Sequence, residues 1–173
     1  GQAMSLLKMP TAARSTFGDS VVGKEASNIS KMLRDQRNCA IVQVTTADTL
    51  SISETIETHA LLSSIHLAPA AVLFNRMPPS EFGTEDISAL TNRRGRHLHK
   101  KELEHLAELA KSELKRAADA RKAIAKIRTE TGGPVLEIAE HSGMSGIELI
   151  DRIAADLARH REDETVPRTA HRR

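Results

Sequence analysis

An α/β fold built on a parallel sheet is what this sequence predicts, from three observations. Two short and almost wholly apolar runs, Ala40–Val44 and Ala71–Phe74, flank a stretch of helical spacing. Alternation is weak in both runs, the pattern of strands covered on both faces, as in a parallel sheet. A third apolar run, Val135–Ile138, follows a long unbroken helical segment. Strands separated by helices give at least three parallel strands flanked by helices, with right-handed crossovers.

The composition limits what such a fold can be. At 173 residues the chain is one domain or a large part of one. Phe17, Phe74 and Phe82 are its only aromatics, so aliphatic side chains and alanine must pack the core. A net charge of +2 is too small to point to nucleic acid. Cys39 stands alone, which excludes an intrachain disulfide and a multi-thiolate metal site within one chain. That suits a reducing, cytoplasmic setting. No run is long and apolar enough to cross a bilayer, and the start lacks a signal-peptide pattern.

Taken in order, Ser5–Phe17 has helical character, and its Pro10 suits a helix start best. Gly18-Asp19-Ser20 is a turn, and Val22, Ala26, Ile29 and Leu33 keep helical spacing as far as Arg34. After the first strand, Ser51 and Glu54 have the spacing of a capping box, and Ile52, Ile56 and Ala60 share one helix face. Pro78-Pro79-Ser80 breaks the chain after the second strand, and a short helix is expected within Glu81–Leu90. From His97 to Glu130 nothing interrupts a helix. Its stripe is Leu103, Leu106, Ala110, Leu114, Ala117, Ala120, Ile124 and Ile127, and it should reach roughly 45–50 Å. Gly132-Gly133-Pro134 ends it, and the third strand follows. Ser145 and Glu148 repeat the capping-box spacing before a last helix with Ile150, Ile153, Ala154 and Leu157 inward. The domain is placed at residues 5–160. The charged stretch 161–173 is expected to be a disordered tail.

Four patterns invite a functional reading and have a plainer one. Gly18–Glu25 nearly spells a phosphate-binding loop, but Glu25 stands where a magnesium-holding hydroxyl belongs and no apolar strand precedes Gly18. It is expected to be a helix-entry turn. His97, His99 and His105 lie among Arg93, Arg94, Arg96, Lys100 and Lys101, a cationic setting that suits a solvated patch better than a metal. Asp48 and Glu54 can be read as paired carboxylates, but Glu54 is better explained as a cap and no nucleophile accompanies them. Cys39 has no evident means of lowering its pKa and is taken as structural.

Ligands of parallel sheets gather at the carboxyl ends of the strands, here Thr45–Asp48 and Asn75–Pro79. Asn75 is the sharpest residue there. An amide after a buried strand offers a donor and an acceptor, a match for the edge of an adenine. A plain turn asparagine is the competing reading.

The order of these motifs resembles the ArsA family of ATPases, which includes arsenical pump-driving ATPases and the ATPase that targets tail-anchored membrane proteins. The residues that carry the likeness are Val44-Thr45 at a strand end, Asp48, Glu54-Thr55 opening a helix, and Asn75-Arg76 closing the next strand. The flanking segments LLKMPTAARSTFGDS, RRGRHLHKKELEHL and GGPVLEIAEHSGMSGIELI are similar to the family's too, so the likeness runs from Leu6 to about Leu157. It implies the C-terminal half of a P-loop-NTPase-like domain. The family's phosphate-binding loop, first switch and second-switch aspartate lie ahead of the matched region. The family's paired zinc cysteines are absent, and Ala139 stands where the last-strand loop usually has proline.

By that resemblance Asn75 would bind adenine, and Ala139, Glu140 and His141 would form another wall of the pocket. Asp48 would meet nucleotide across a dimer. An intact member would hydrolyse ATP with Mg²⁺ as a homodimer coupled to a cargo or membrane partner, with no nucleic acid. This chain would be its adenine-binding portion, inactive alone, with no catalytic residue and no cofactor of its own. The rival expectation is a stand-alone interaction module that keeps the fold without nucleotide and uses the long basic helix as its contact.

Overall fold

The computed structural model describes residues 2–79, 83–92 and 100–165. A helical hairpin comes first, α1 (Gln2–Phe17) and α2 (Val21–Arg34). Then come β1 (Val42–Thr45), α3 (Thr49–Ser64) and β2 (Ala71–Met77). The chain continues through α4 (Thr84–Asn92), α5 (Lys100–Thr131), β3 (Val135–Ala139) and α6 (Gly146–Thr165). The three strands form one parallel sheet in the order β1-β2-β3. Val42 pairs with Ala71, and Val72 with Val135. The predicted α/β class, the parallel sheet and the long helix are all present.

One face of the sheet makes the core. Val72, Phe74 and Val135 meet Ile52 of α3 and Ala120, Ala123, Ile124 and Ile127 of α5. Small alanines on α5 let its backbone approach the sheet closely, which is how a chain with so few aromatics fills its interior. Only the second half of α5 serves this core. Leu106 and Leu109, nearer its start, stay exposed, and α4 is the neighbour there.

The opposite face is a correction to the expectation of strands buried on both sides. Val42 is 48 % exposed and Val44 65 %. They alternate along β1 with Gln43, whose side-chain amide reaches the Thr55 carbonyl of α3, and β1 is an edge strand. Their apolar character predicted cover that no described helix of this chain supplies.

The helix ends obey local chemistry, with some shifts from expectation. Pro10 lies inside α1, not at its start, because α1 begins at Gln2. A proline there removes one helical N–H, tolerated in a helix with no buried residue. Ser20 caps α2 by accepting from the Gly23 N–H at 3.2 Å, so Gly18–Glu25 is indeed a helix-entry turn. Asp48, not Ser51, caps α3: its carboxylate accepts from the Ser51 N–H at 2.8 Å. The helix starts one turn before the expected box, which leaves Glu54 exposed on its surface. Ile52 is buried as expected, but Ala60 is exposed and Leu62 completes the inner face. The last helix departs most. Ile150 is 64 % exposed, while Asp156, a carboxylate, is only 3 % exposed. α6 also runs on to Thr165, into the segment expected as a tail, and residues 166–173 lie outside the described ones.

The end of α3 carries measurable strain. Leu67 N–H reaches back to Leu62 O and His66 N–H to Ser63 O, each at 3.0 Å, with both leucines buried. This is the Schellman arrangement, and its left-handed residue is His66, at φ +62°. A side chain there costs energy that glycine avoids. His66→Gly is expected to raise stability by about 1 kcal/mol, read as a higher Tm. A lower Tm would show that the imidazole contributes more than the strain costs.

Candidate functional site

The carboxyl edge of the sheet collects the predicted site residues because parallel strands end on the same side. Asn75 is placed differently from expectation: it lies within β2, which runs on to Met77, and not beyond the strand. Phe74 pairs with Glu137 and Met77 with Ala139, so β2 carries one residue more than β3 across this interval. That is a β-bulge, formed by Asn75 and Arg76, with Arg76 in the left-handed region at φ +59°. Bulges re-aim side chains near sites, and a non-glycine residue held at positive φ is uncommon. The Arg76 N–H donates to Asn75 Oδ1 at 3.0 Å. This pins the amide: its oxygen keeps one lone pair, and its NH₂ has both donors to offer.

Ala139 is the last residue of β3 and pairs with Met77, and Glu140 and His141 follow it. The Glu140 N–H donates to Met77 O at 2.9 Å, joining the two strand ends. The side chains of this wall turn to their own chain. Glu140 is paired with Arg116 of α5, and His141 Nε2 lies 2.9 Å from Asp156 Oδ2. The Ala139 methyl is therefore what this segment presents most freely. A cavity of about 310 Å³ opens beside Ala139, between the ends of β2 and β3 and α6. It is lined by Met77, Glu137, Ala139, Asp156, Arg159 and His160, and Asn75 is not among them.

Asp48 sits at the end of β1 and is heavily engaged. The Thr46 hydroxyl donates to one oxygen at 2.5 Å and the Ser51 N–H to the other. The Thr46 hydroxyl, then the Ser51 hydroxyl and N–H, lower its pKa to about 2. A carboxylate that acidic is no general base near neutral pH, which removes the paired-carboxylate reading with Glu54.

The network that sequence reasoning missed lies on α6. Asp156 accepts from the Ala139 N–H at 3.0 Å, from His141, and from Arg159. His160 Nε2 lies 2.9 Å from Glu137 N and 2.8 Å from Glu137 O. One ring nitrogen can accept from the N–H or donate to the carbonyl, not both at once. Together the two side chains close the outer edge of β3 with hydrogen bonds in place of a fourth strand. The available signal was the i, i+4 spacing of Asp156 and His160, which puts both on one face of the helix.

Arg93, Arg94, Arg96, His97 and His99 of the basic patch lie outside the described residues. Among the described residues, no group of three or more His, Cys, Asp or Glu side chains is placed to hold a metal ion. No described helix is long and apolar enough to cross a membrane. No protein-family model and no curated protein matches this chain.

Proposed function

We propose that this chain is the C-terminal, adenine-binding portion of an ArsA-like ATPase, with ATP hydrolysis belonging to the intact protein. The single observation that supports this most is the bulge at Asn75–Arg76. It sets an oriented amide at the carboxyl edge of a parallel sheet, where such folds bind ligands. The amide fits an adenine edge, with NH₂ toward a ring nitrogen and the remaining oxygen lone pair toward the amino group. The Ala139–Glu140 backbone supplies a neighbouring wall. Asp48 would approach nucleotide from across a homodimer.

Among the described residues the triphosphate and Mg²⁺ find no comparable fit. The Gly18–Glu25 turn is occupied by its own chain: Arg14 holds the Gly18 carbonyl and the Asp19 carboxylate, and Ser20 caps the helix. Phosphate binding and catalysis are therefore assigned to residues outside this chain. Alone, it should bind adenine nucleotides at millimolar levels or not at all, without turnover. A cargo or membrane partner enters only with the intact ATPase.

A second reading, an interaction module that has kept the fold without nucleotide, is favoured by the exposed Val42 and Val44 and by the inward pairing of Glu140 and His141. Titration separates the two. In an ATPase carrying this segment, Asn75→Ala should cost about 1–3 kcal/mol of ATP affinity, because the base edge is left unpaired. Asn75→Asp should cost at least as much, having lost its donors. In the isolated chain, any amide resonances that millimolar ADP shifts should be those of Asn75, Ala139 and Glu140, and GDP should shift none. Equal ATP affinity in the wild-type ATPase and both variants would leave the interaction module standing.

A further inference from the structure

Two clefts meet at the amino end of the sheet, away from Asn75. The larger, of about 430 Å³, lies between the α1–α2 hairpin and the turn from α3 to β2. No strand lines it, so the open edge of β1 plays no part. Leu7 of α1, Leu33 of α2, and Ile65 and Leu67 of the turn make it apolar. Small side chains on the two helices, Ala12 and Ser30 among them, keep it open. Protein interiors pack closely, so an apolar space of this size is a place for an occupant. Lys8, Arg34 and His66 stand at its rim, all exposed. No described carboxylate lines the cleft, and none of the three is in an ion pair among the described residues. Asp35, next to Arg34 in the chain, is taken by Arg37. The smaller cleft, of about 380 Å³, shares Arg34 and His66 with the first, so these two stand where the clefts meet.

We propose that the larger cleft binds a small anionic amphiphile, a carboxylate on an aliphatic chain like that of a medium-chain fatty acid. The occupant follows from the two parts of the lining. The apolar floor takes an aliphatic tail, which gains with every methylene removed from water. Uncompensated cations at the rim select a negative head and repel a positive one. Arg34 offers a planar fork that meets both oxygens of a carboxylate, and Lys8 adds a point charge. His66 has a ring N–H to donate in either protonation state. It also holds a left-handed position, φ +62°, that glycine would fill without strain. A contact to the bound head accounts for an imidazole at that strained position. This site is independent of the nucleotide reading and stands or falls without it.

The test is calorimetric titration of the full chain with sodium decanoate, below micelle formation. Saturable binding with a Kd below about 1 mM is expected. Octanoate should bind more weakly, by about threefold to fourfold for each methylene removed. Decyltrimethylammonium, with the same tail and the opposite charge, should not bind. Lys8→Gln combined with Arg34→Gln should weaken decanoate about tenfold with an unchanged circular dichroism spectrum. Lys31→Gln removes a cation from the same last turn of α2, outside the cleft, and should bind as wild type does. His66→Gly, expected to be the more stable chain, should nonetheless bind at least about twofold more weakly, which a purely structural role would not produce. If the double variant fails to fold, His66→Gly decides. The proposal is overturned by equal binding of the cationic amphiphile, or by undiminished binding in the folded double variant or in His66→Gly. Absence of saturable decanoate binding overturns it too, including where decyl phosphate or phosphatidylglycerol vesicles bind in its place.

Discussion

Gly23→Ala should melt the α1–α2 hairpin, at a cost of about 3 kcal/mol, while the sheet and its covering helices stay folded. The physical cause is a collision. A Cβ on Gly23 would stand 2.0 Å from the Gly18 carbonyl oxygen and 3.0 Å from its carbon. Both are backbone atoms of the turn, so no side-chain rotation relieves the contact. Gly18 makes a discriminating comparison, because it is glycine for a different reason. It sits at φ +51° with nothing within 4 Å of where a Cβ would be. Gly18→Ala therefore pays only conformational strain, about 1 kcal/mol. The hairpin packs chiefly on itself, so the damage should be local. Hydrogen exchange should show lost protection across residues 2–34 in Gly23→Ala and retained protection in β2 and α5. Equal stability of the two variants would mean that the turn yields more readily than its geometry implies.

The contrast between these glycines bears on what is legible in the sequence. Gly18-Asp19-Ser20 is visible as a turn because its residue types are local signals. Nothing local says that Gly23 touches Gly18, since that contact arises only when two helices fold back on one another. The same division runs through the molecule. β1, α3, β2, α5 and β3 are legible because apolar periodicity records burial directly. Val42 and Val44 mislead for that same reason: a valine records a preference for cover, not who provides it. Asn75 stands out in the sequence as a polar residue at the end of an apolar run, but the bulge that orients it depends on the register with β3. The inner face of α6 differs from its spacing because apolar periodicity predicts a core that this helix does not face. That helix lies along a strand edge, and an edge needs hydrogen-bond acceptors and donors more than methyl groups.

Asp156→Ala should therefore cost about 2–4 kcal/mol, far more than removing a surface carboxylate. The loss leaves the Ala139 N–H without its acceptor and strips His141 and Arg159 of their shared anion. Asp156→Asn should fall between, since its amide oxygen can still accept from Ala139 while the charge is gone. The pH dependence separates charge from packing. Burial pulls the Asp156 pKa upward more than any single contact lowers it, but the Ala139 N–H, His141 and Arg159 together outweigh burial and hold it below the ordinary value. A carboxylate with a depressed native pKa binds protons more readily when unfolded. Its stabilisation is thus fully present above the unfolded value, about 3.9, and is lost as pH falls through the native one. Urea unfolding of wild type and Asp156→Asn should give a constant gap from pH 7 to about pH 5, closing below about pH 4. The Ala139 amide should exchange faster in both variants, and most in Asp156→Ala. A gap that persists at the lowest pH would assign the effect to shape instead of charge. Full stability of Asp156→Ala would mean that the β3 edge does not depend on α6 for its closure.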